Sequence, residues 1–465
     1  MVQWGAAAPS SFRDPAGFVF QENGVVKRAV TVYGAPDLEL LTSSGLYDRL
    51  VAAGVLVAHQ QEEPVSAAAA AEVVKVLVPE QIRYVSYPYE WCFGQLKDAA
   101  LLTLKAQALA LQHGMSLKDA SAFNVQFRGP RPVLIDTLSF ERNDGRPWVA
   151  YNQFCRHFLA PLLLTKYYGA ALHPFWRASV EGFPLDLASR LLPCRSYLRF
   201  GTLIHLHAHA WSQRRHSKLP GPGEEASPAV PSGPDRKAAL VESLQATIEG
   251  LSPGKPSSEW SDYYAHSTHY SAAAEEAKKA WVEEVLSRTA PQTVYDLGGN
   301  IGTYGRLATR RGIDCVCFDI DPACVHENYE RSKRAGDLHM LPLVMDLTNP
   351  TPALGFGLRE RMSLLERPQA DLLLALALIH HLRITGNAPF RRIAGFLAGL
   401  GRRVLIEWVP KNDVMAAALL SVRKDTFIDY TQDQFLDAFA EHFEIEDSRP
   451  ITDTARTLYL LRRRS

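Results

Sequence analysis

Thr293–Gly305 reads TVYDLGGNIGTYG. Val294 and Tyr295 make a short apolar strand, Asp296 follows, and three glycines come close together before a helical run. Gly298, Gly299 and Gly302 leave bare main chain where the strand turns toward the helix, so a ligand can lie against the backbone there. Asp296 brings a carboxylate to the same place. A dinucleotide-binding loop carries glycines at its first, third and sixth positions, and no set of glycines in this stretch has that spacing.

The strands that follow fix the meaning of the loop. Cys315–Phe318 is a second apolar strand ending in Asp319, where a carboxylate can bridge the two hydroxyls of a ribose. Leu341–Met345 is a third, ending in Asp346 on the side expected for an adenine. Asp371–Ile379 is a nearly unbroken apolar run, as for a central strand covered on both faces, and it ends in His380 and His381. Val404–Ile406 ends in Glu407 and Trp408. Polar residues thus gather at the carboxyl ends of five successive strands, where open α/β sheets bind ligands.

Asp296-x-Gly298-Gly299-Asn300-x-Gly302 resembles the acid-x-Gly-x-(Gly/Ala/Asn)-x-Gly loop of class I S-adenosylmethionine-dependent methyltransferases. With Phe443–Glu446 and Arg456–Leu461 as closing antiparallel strands, the resemblance covers residues 259–465. It implies a Rossmann-like, seven-stranded mixed sheet and S-adenosyl-L-methionine as cofactor. Asp296, Gly298, Gly299, Asn300, Gly302, Asp319 and Asp346 would line the cofactor. Tyr263, Tyr264 and Tyr270, upstream of the core, fit either a lid over it or core packing.

The sulfonium makes its methyl electrophilic, leaving the protein to supply alignment and, for a hydroxyl acceptor, a base. His380 and His381 stand where such a base is needed, one facing the cleft and the other packing locally if the strand leaves extended. Glu407 either orients the acceptor or closes a hydrogen-bond network. The fourth strand lacks the Asn-Pro-Pro-Tyr signature of amide and exocyclic-amine methylation, which shifts weight toward an oxygen or an already nucleophilic nitrogen. The acceptor, a small metabolite, glycan or protein side chain, is not named by the sequence.

Residues 10–215 read as a separate α+β domain, and residues 216–258 as a flexible linker plus a helix over 237–251. Glu22-Asn23-Gly24 predicts a hairpin between Gly17–Phe20 and Val25–Tyr33. Asp37–Ala53 and Ala67–Leu77 predict helices, and Ile82–Val85 a strand. Leu96–His113 predicts a long helix capped at Gly114.

After it come Asp119, Asn124 and, beyond a turn and the strand Val133–Ile135, Asp136. This arrangement resembles the catalytic segment of protein-kinase-like phosphotransferases, in which the first Asp orients a hydroxyl and the others hold magnesium on ATP. Leu117-Lys118 replaces the family's His-Arg, Thr137-Leu138 replaces Phe-Gly, and no glycine-rich phosphate loop precedes them. Lys27 or Arg28 is a candidate for the phosphate-binding cation. Local turn bonding of Asp119 and Asn124 is the alternative.

The 465 residues allow two or three domains. Fifty basic and fifty acidic residues balance, which disfavours a general nucleic-acid or membrane-surface binder. The six cysteines show no metal spacing and suit a reducing, cytoplasmic setting. His205, His207 and His209 would line one face of a strand and could then bind metal, but spread around a helix. Three functions follow: a methyltransferase, a phosphotransferase with an accessory methyltransferase half, and a cofactor-binding scaffold.

Overall fold

The computed structural model describes residues 8–63, 72–216, 234–254, 271–421 and 424–464. The chain divides into two compact units, each described on its own. The first comprises Met1–Phe127, Pro132–Pro256 and Leu354–Arg361; the second comprises Arg128–Arg131, Ser257–Ala353 and Met362–Ser465.

In the first unit, β1 (Gly17–Glu22), β2 (Val25–Thr31), β3 (His59–Glu62) and β4 (Val73–Pro79) form an antiparallel sheet in the order β1-β2-β4-β3. Asn23 and Gly24, at φ 52° and 81°, make the expected hairpin turn. The helix expected over 37–53 is two, Ala35–Ser43 and Leu46–Ala52, parted at Gly45 with φ 74°. Val73–Leu77, expected as helix, is strand β4: its β-branched residues pair with β2 on one side and β3 on the other. Residues 67–71 of that expectation lie outside the described residues. Ile82–Val85 is loop instead of strand.

A buried helix, Phe93–Gln112, then leads into β5 (Met115–Leu117), β6 (Val125–Arg128), β7 (Arg131–Leu134) and β8 (Phe140–Arg142), which pair as β5-β8 and β6-β7. The remainder is helical. Tyr151–Phe154 and Ala160–Tyr168 are joined through a π-helical turn, Cys155–Leu159. His205 and His207 lie on another π turn, Leu203–Ala208, so the three histidines do not share a strand face.

The second unit is built on a seven-stranded sheet: β9 (Thr293–Leu297), β10 (Asp314–Asp319), β11 (Met340–Val344), β12 (Ala370–Ala375), β13 (Gly401–Trp408), β14 (Phe443–Pro450) and β15 (Thr457–Arg463). Their order is β11-β10-β9-β12-β13-β15-β14. The first five are parallel, and β15 is antiparallel to both its neighbours. Central β9 and β12 are buried almost throughout, which is why they read as continuous apolar runs. The helix Ala272–Thr289, N-capped by Ser271, buries Trp281, Val282 and Val285 in the same core as Val294 and Leu405.

β12 stops at Ala375, four residues short of the expected end. Ala377 takes the left-handed conformation, φ 50°, and a π turn begins at His381. His380 and His381 therefore do not leave an extended strand. Their rings lie side by side, centroids 4.2 Å apart.

Candidate functional site

At the carboxyl ends of β9 and β10 the chain makes two linked turns. Gly298 and Gly299 both donate to the Phe318 carbonyl, at 2.9 and 3.0 Å. The Asp319 carboxylate accepts from Asn300 N at 2.8 Å and Asp321 N at 2.9 Å, fastening the glycine loop to the end of β10. Gly298 and Gly302 have positive φ, 72° and 79°, and Asn300 shares it at 49°. A Cβ on Gly299 would come within 2.4 Å of Cys317 Sγ and 2.6 Å of Asp296 Oδ2, so no other residue fits there.

Asp296 is buried and accepts from Gly305 N at 2.9 Å. Burial pushes its carboxyl up to about 7 and that of Asp319 up to about 6, each against the pull of its amide partners. Asp346 turns on itself, accepting from Thr348 N and Oγ1 at 2.8 and 2.6 Å. Tyr263, Tyr264 and Tyr270 lie outside the described residues.

Beyond β12 and β13 lies a chain of buried charges. Glu407 is fully buried; it accepts from Lys278 Nζ at 2.6 Å, Arg456 Nη1 at 3.0 Å and Ala377 N at 2.9 Å. Arg456 makes a second, two-pronged pair with Asp413, at 2.7 and 2.8 Å. Lys278 Nζ also stands 4.7 Å from the ring centre of Tyr304, just past the glycine loop. The hydrogen bond donated by the Ala377 N–H explains how a non-glycine residue holds φ 50° at this point: the carboxylate fixes its N–H.

His380 is also fully buried, and neither ring nitrogen has a hydrogen-bond partner among the described residues. Burial, then the His381 ring and Arg456, hold it well below the ordinary histidine range, so it is uncharged at neutral pH. His381 is half-buried and is pushed down to about 4 by burial. The sequence pointed to the histidines and Glu407, but not to Lys278 or Arg456. Lys278 sits beside Lys279 in an ordinary-looking polar helix, and only tertiary structure distinguishes them.

In the first unit Asp119, Asn124 and Asp136 do come together. Burial raises the Asp119 carboxyl above the usual range, with Asp136 and Asn124 both within electrostatic reach of it, while the Asn124 amide donates to Ser139 Oγ at 3.2 Å. Asp119 also accepts from Ser121 N at 2.9 Å, the local turn bond. Arg28 Nη1 pairs with Asp136 at 2.9 Å, whereas Lys27 turns to Glu22 and Glu62. The three histidines have side-chain partners of their own: His205 bonds Tyr151 and Ser243, His207 bonds Ser189 and Ser196, and His209 stacks on Tyr151. Among the described residues no group of three or more His, Cys, Asp or Glu side chains is placed to hold a metal ion. No helix among them is long and apolar enough to cross a membrane.

Numbered along the chain, the sheet order is 3-2-1-4-5-7-6 with the seventh strand antiparallel. With a glycine loop after the first strand and an acid after the second, it defines the class I methyltransferase-like α/β fold. Comparison with known proteins places the chain more narrowly. It is 34% identical over 471 residues to the nodulation protein NoeA of Rhizobium meliloti (strain 1021), covering 98% of each chain, and it belongs to that family.

No protein-family model matches the chain. Among solved structures it is similar to the N-methyltransferase NodS of Bradyrhizobium japonicum WM9, at 12% identity, over 42% of this chain and 98% of that one, with a TM-score of 0.32. It is also similar to magnesium protoporphyrin IX methyltransferase of Synechocystis PCC 6803 with bound SAH, at 16% identity, 41% and 84% coverage, and a TM-score of 0.31.

Proposed function

We propose that residues 259–465 form an S-adenosylmethionine-dependent methyltransferase acting on an oxygen or nitrogen nucleophile of a small metabolite, glycan or protein side chain. The observation that carries this reading is His380. An imidazole enclosed by protein with both nitrogens unpartnered is costly unless a ligand completes it, and it follows β12, the neighbour of β9, at the carboxyl edge of the sheet where α/β folds bind ligands.

The donor set suits the cofactor. Gly298–Asn300 offer main chain free of bulky side chains, Asp319 offers a carboxylate for a ribose diol, and Asp346 lies on the adenine side. When bound, the cofactor supplies a methyl group already activated for displacement. His380, uncharged, is in the form that accepts a proton from an acceptor hydroxyl or ammonium. Glu407 acts through Ala377, holding the turn that carries the histidines. Lys278 and Arg456 balance Glu407 and Asp413, two charges of each sign, so the site gains no net charge from the cluster.

Titration of the full-length protein with S-adenosylhomocysteine tests the reading, followed by conversion of S-adenosylmethionine in the presence of cell extract. Absence of binding overturns it. Binding without any turnover would leave a cofactor-binding scaffold.

A second reading, ATP- and magnesium-dependent phosphotransfer in residues 10–215, has in its favour the meeting of Asp119, Asn124 and Asp136. Against it stands Arg28, which already neutralises Asp136. Magnesium-dependent nucleotide binding that disappears in Asp136→Ala would support it.

A further inference from the structure

We propose that the helical part of the first unit carries a docking surface for an anionic lipid bilayer. Its centre is the helical run that passes from Phe200–Thr202 through the π turn Leu203–Ala208 into His209–His216. Side chains on this run are sorted the wrong way round for a water-facing helix. His205 and His207 go inward and are buried, bonded to Tyr151, Ser243, Ser189 and Ser196. The apolar side chains go outward: Phe200 is 73% exposed, Leu203 and Ile204 each 38%, and Trp211 57%. Spacings of three, four and seven residues gather these four on one face. The turn Cys194–Leu198 packs against the run, with the Tyr197 ring stacked on His207, and leaves Leu198 87% exposed. Large apolar side chains held in a group at the surface mark an interaction site.

Charge decides what the surface meets. Between Asp186 and Glu224 the sequence contains no Asp or Glu, against Arg190, Arg195, Arg199, Arg214, Arg215 and Lys218. The even balance of the whole chain conceals this local excess. Asp186, at its edge, is already shared by Arg190 and Arg214. Arg195 lies 5.3 Å from the ring centre of Tyr167, and Lys166 is within electrostatic reach of Arg199 and Lys97. The helix Pro234–Glu249, packed beside Phe200–Thr202, brings Glu242 and Glu249, fewer acids than the segment has cations.

An acid-free basic segment that also presents Phe, Trp and Leu suits the boundary between headgroups and acyl chains. The apolar side chains sink below the phosphates, and the guanidinium groups stay level with them. A second copy of the chain suits the face less well. A two-fold contact would set the arginines against their own equivalents, whereas acidic headgroups neutralise them.

The test is co-sedimentation of the full chain with phosphatidylcholine vesicles, with and without about one quarter phosphatidylglycerol. Partitioning onto the anionic vesicles should exceed that onto the neutral ones by about ten-fold, and should fall as salt is raised. Two double variants separate the contributions. Leu198→Ser with Phe200→Ser removes the apolar insertion, and Arg195→Gln with Arg199→Gln removes charge. Each should lower partitioning by about ten-fold, with the melting temperature little changed because Leu198 and Phe200 project into solvent. Should one double variant fail to fold, the other decides. The proposal is overturned if the parent does not sediment with anionic vesicles, if neutral vesicles bind it as well, or if the folded variants sediment like the parent. A dimer in light scattering that Leu198→Ser with Phe200→Ser dissociates, without vesicle binding by the parent, gives the face to a second copy and also overturns it. None of these outcomes bears on cofactor binding by the second unit.

Discussion

The Lys278 ammonium stands 2.6 Å from a carboxylate oxygen of Glu407, and both side chains are withdrawn from solvent. The pair ties the helix before the sheet to the end of its fifth strand, so that helix cannot shift without uncovering a charge. Burial lowers the Lys278 ammonium, and Glu407 opposes that shift.

Breaking such a pair from one side leaves the buried cluster with one unbalanced charge. Lys278→Met or Glu407→Gln alone should destabilise the second unit by about 3–5 kcal/mol in urea unfolding. The double substitution should cost less than the two singles added, because no stranded charge remains and Arg456 keeps Asp413. Additive losses would mean the pair has no coupling.

Asp296 sets a stability slope with pH. Its carboxyl is raised in the fold to about 7, above the value of about 3.9 for an unfolded chain. The folded state therefore binds the proton more tightly than the unfolded one between those values. Its contribution to stability is full below about pH 4 and is lost as pH rises through about 7. Melting temperatures of the parent should fall over that window relative to Asp296→Asn, whose side chain does not titrate. Parallel curves for the two proteins would disprove the assignment.

Asp319 governs cofactor binding in a neighbouring window. With its carboxyl at about 6, the ionised form that accepts two ribose hydroxyls dominates at pH 7.5 and is lost as pH falls toward 5. Affinity for S-adenosylhomocysteine should fall over that range and should be flatter with pH in Asp319→Asn. The same substitution at pH 7.5 should cost about 1.5–3 kcal/mol.

The sheet was legible because its signals are local. An apolar run ending in an acid recurs at Asp296 and Asp319, and glycine has no substitute at Gly299. The end of β12 was not legible. Leu376, Leu378 and Ile379 continue the apolar run, and only the hydrogen bond from Ala377 N–H to Glu407, thirty residues away, shows where the strand turns. Val73–Leu77 failed for a similar reason: the preceding alanine run suggested helix, while pairing with β2 and β3 favours the valines as strand. The buried charge chain joins residues 278, 407, 413 and 456, so no window of sequence contains it.

The two histidines differ in what surrounds them, and their substitutions should differ in kind. His380 is enclosed with both nitrogens open, whereas His381 is half-buried beside it. His380→Ala should lower turnover by about 10²–10⁴-fold, the loss typical of a general base. On the proposal that the ring serves the acceptor and not the ribose, affinity for S-adenosylhomocysteine should stay within about two-fold. His381→Ala should cost less. Because His380 is held well below the usual histidine range, turnover at saturating cofactor should show no acid limb near pH 6.5. If His380→Ala turns over at the parental rate, the open imidazole is packing alone, and the base must be sought elsewhere along the sheet edge.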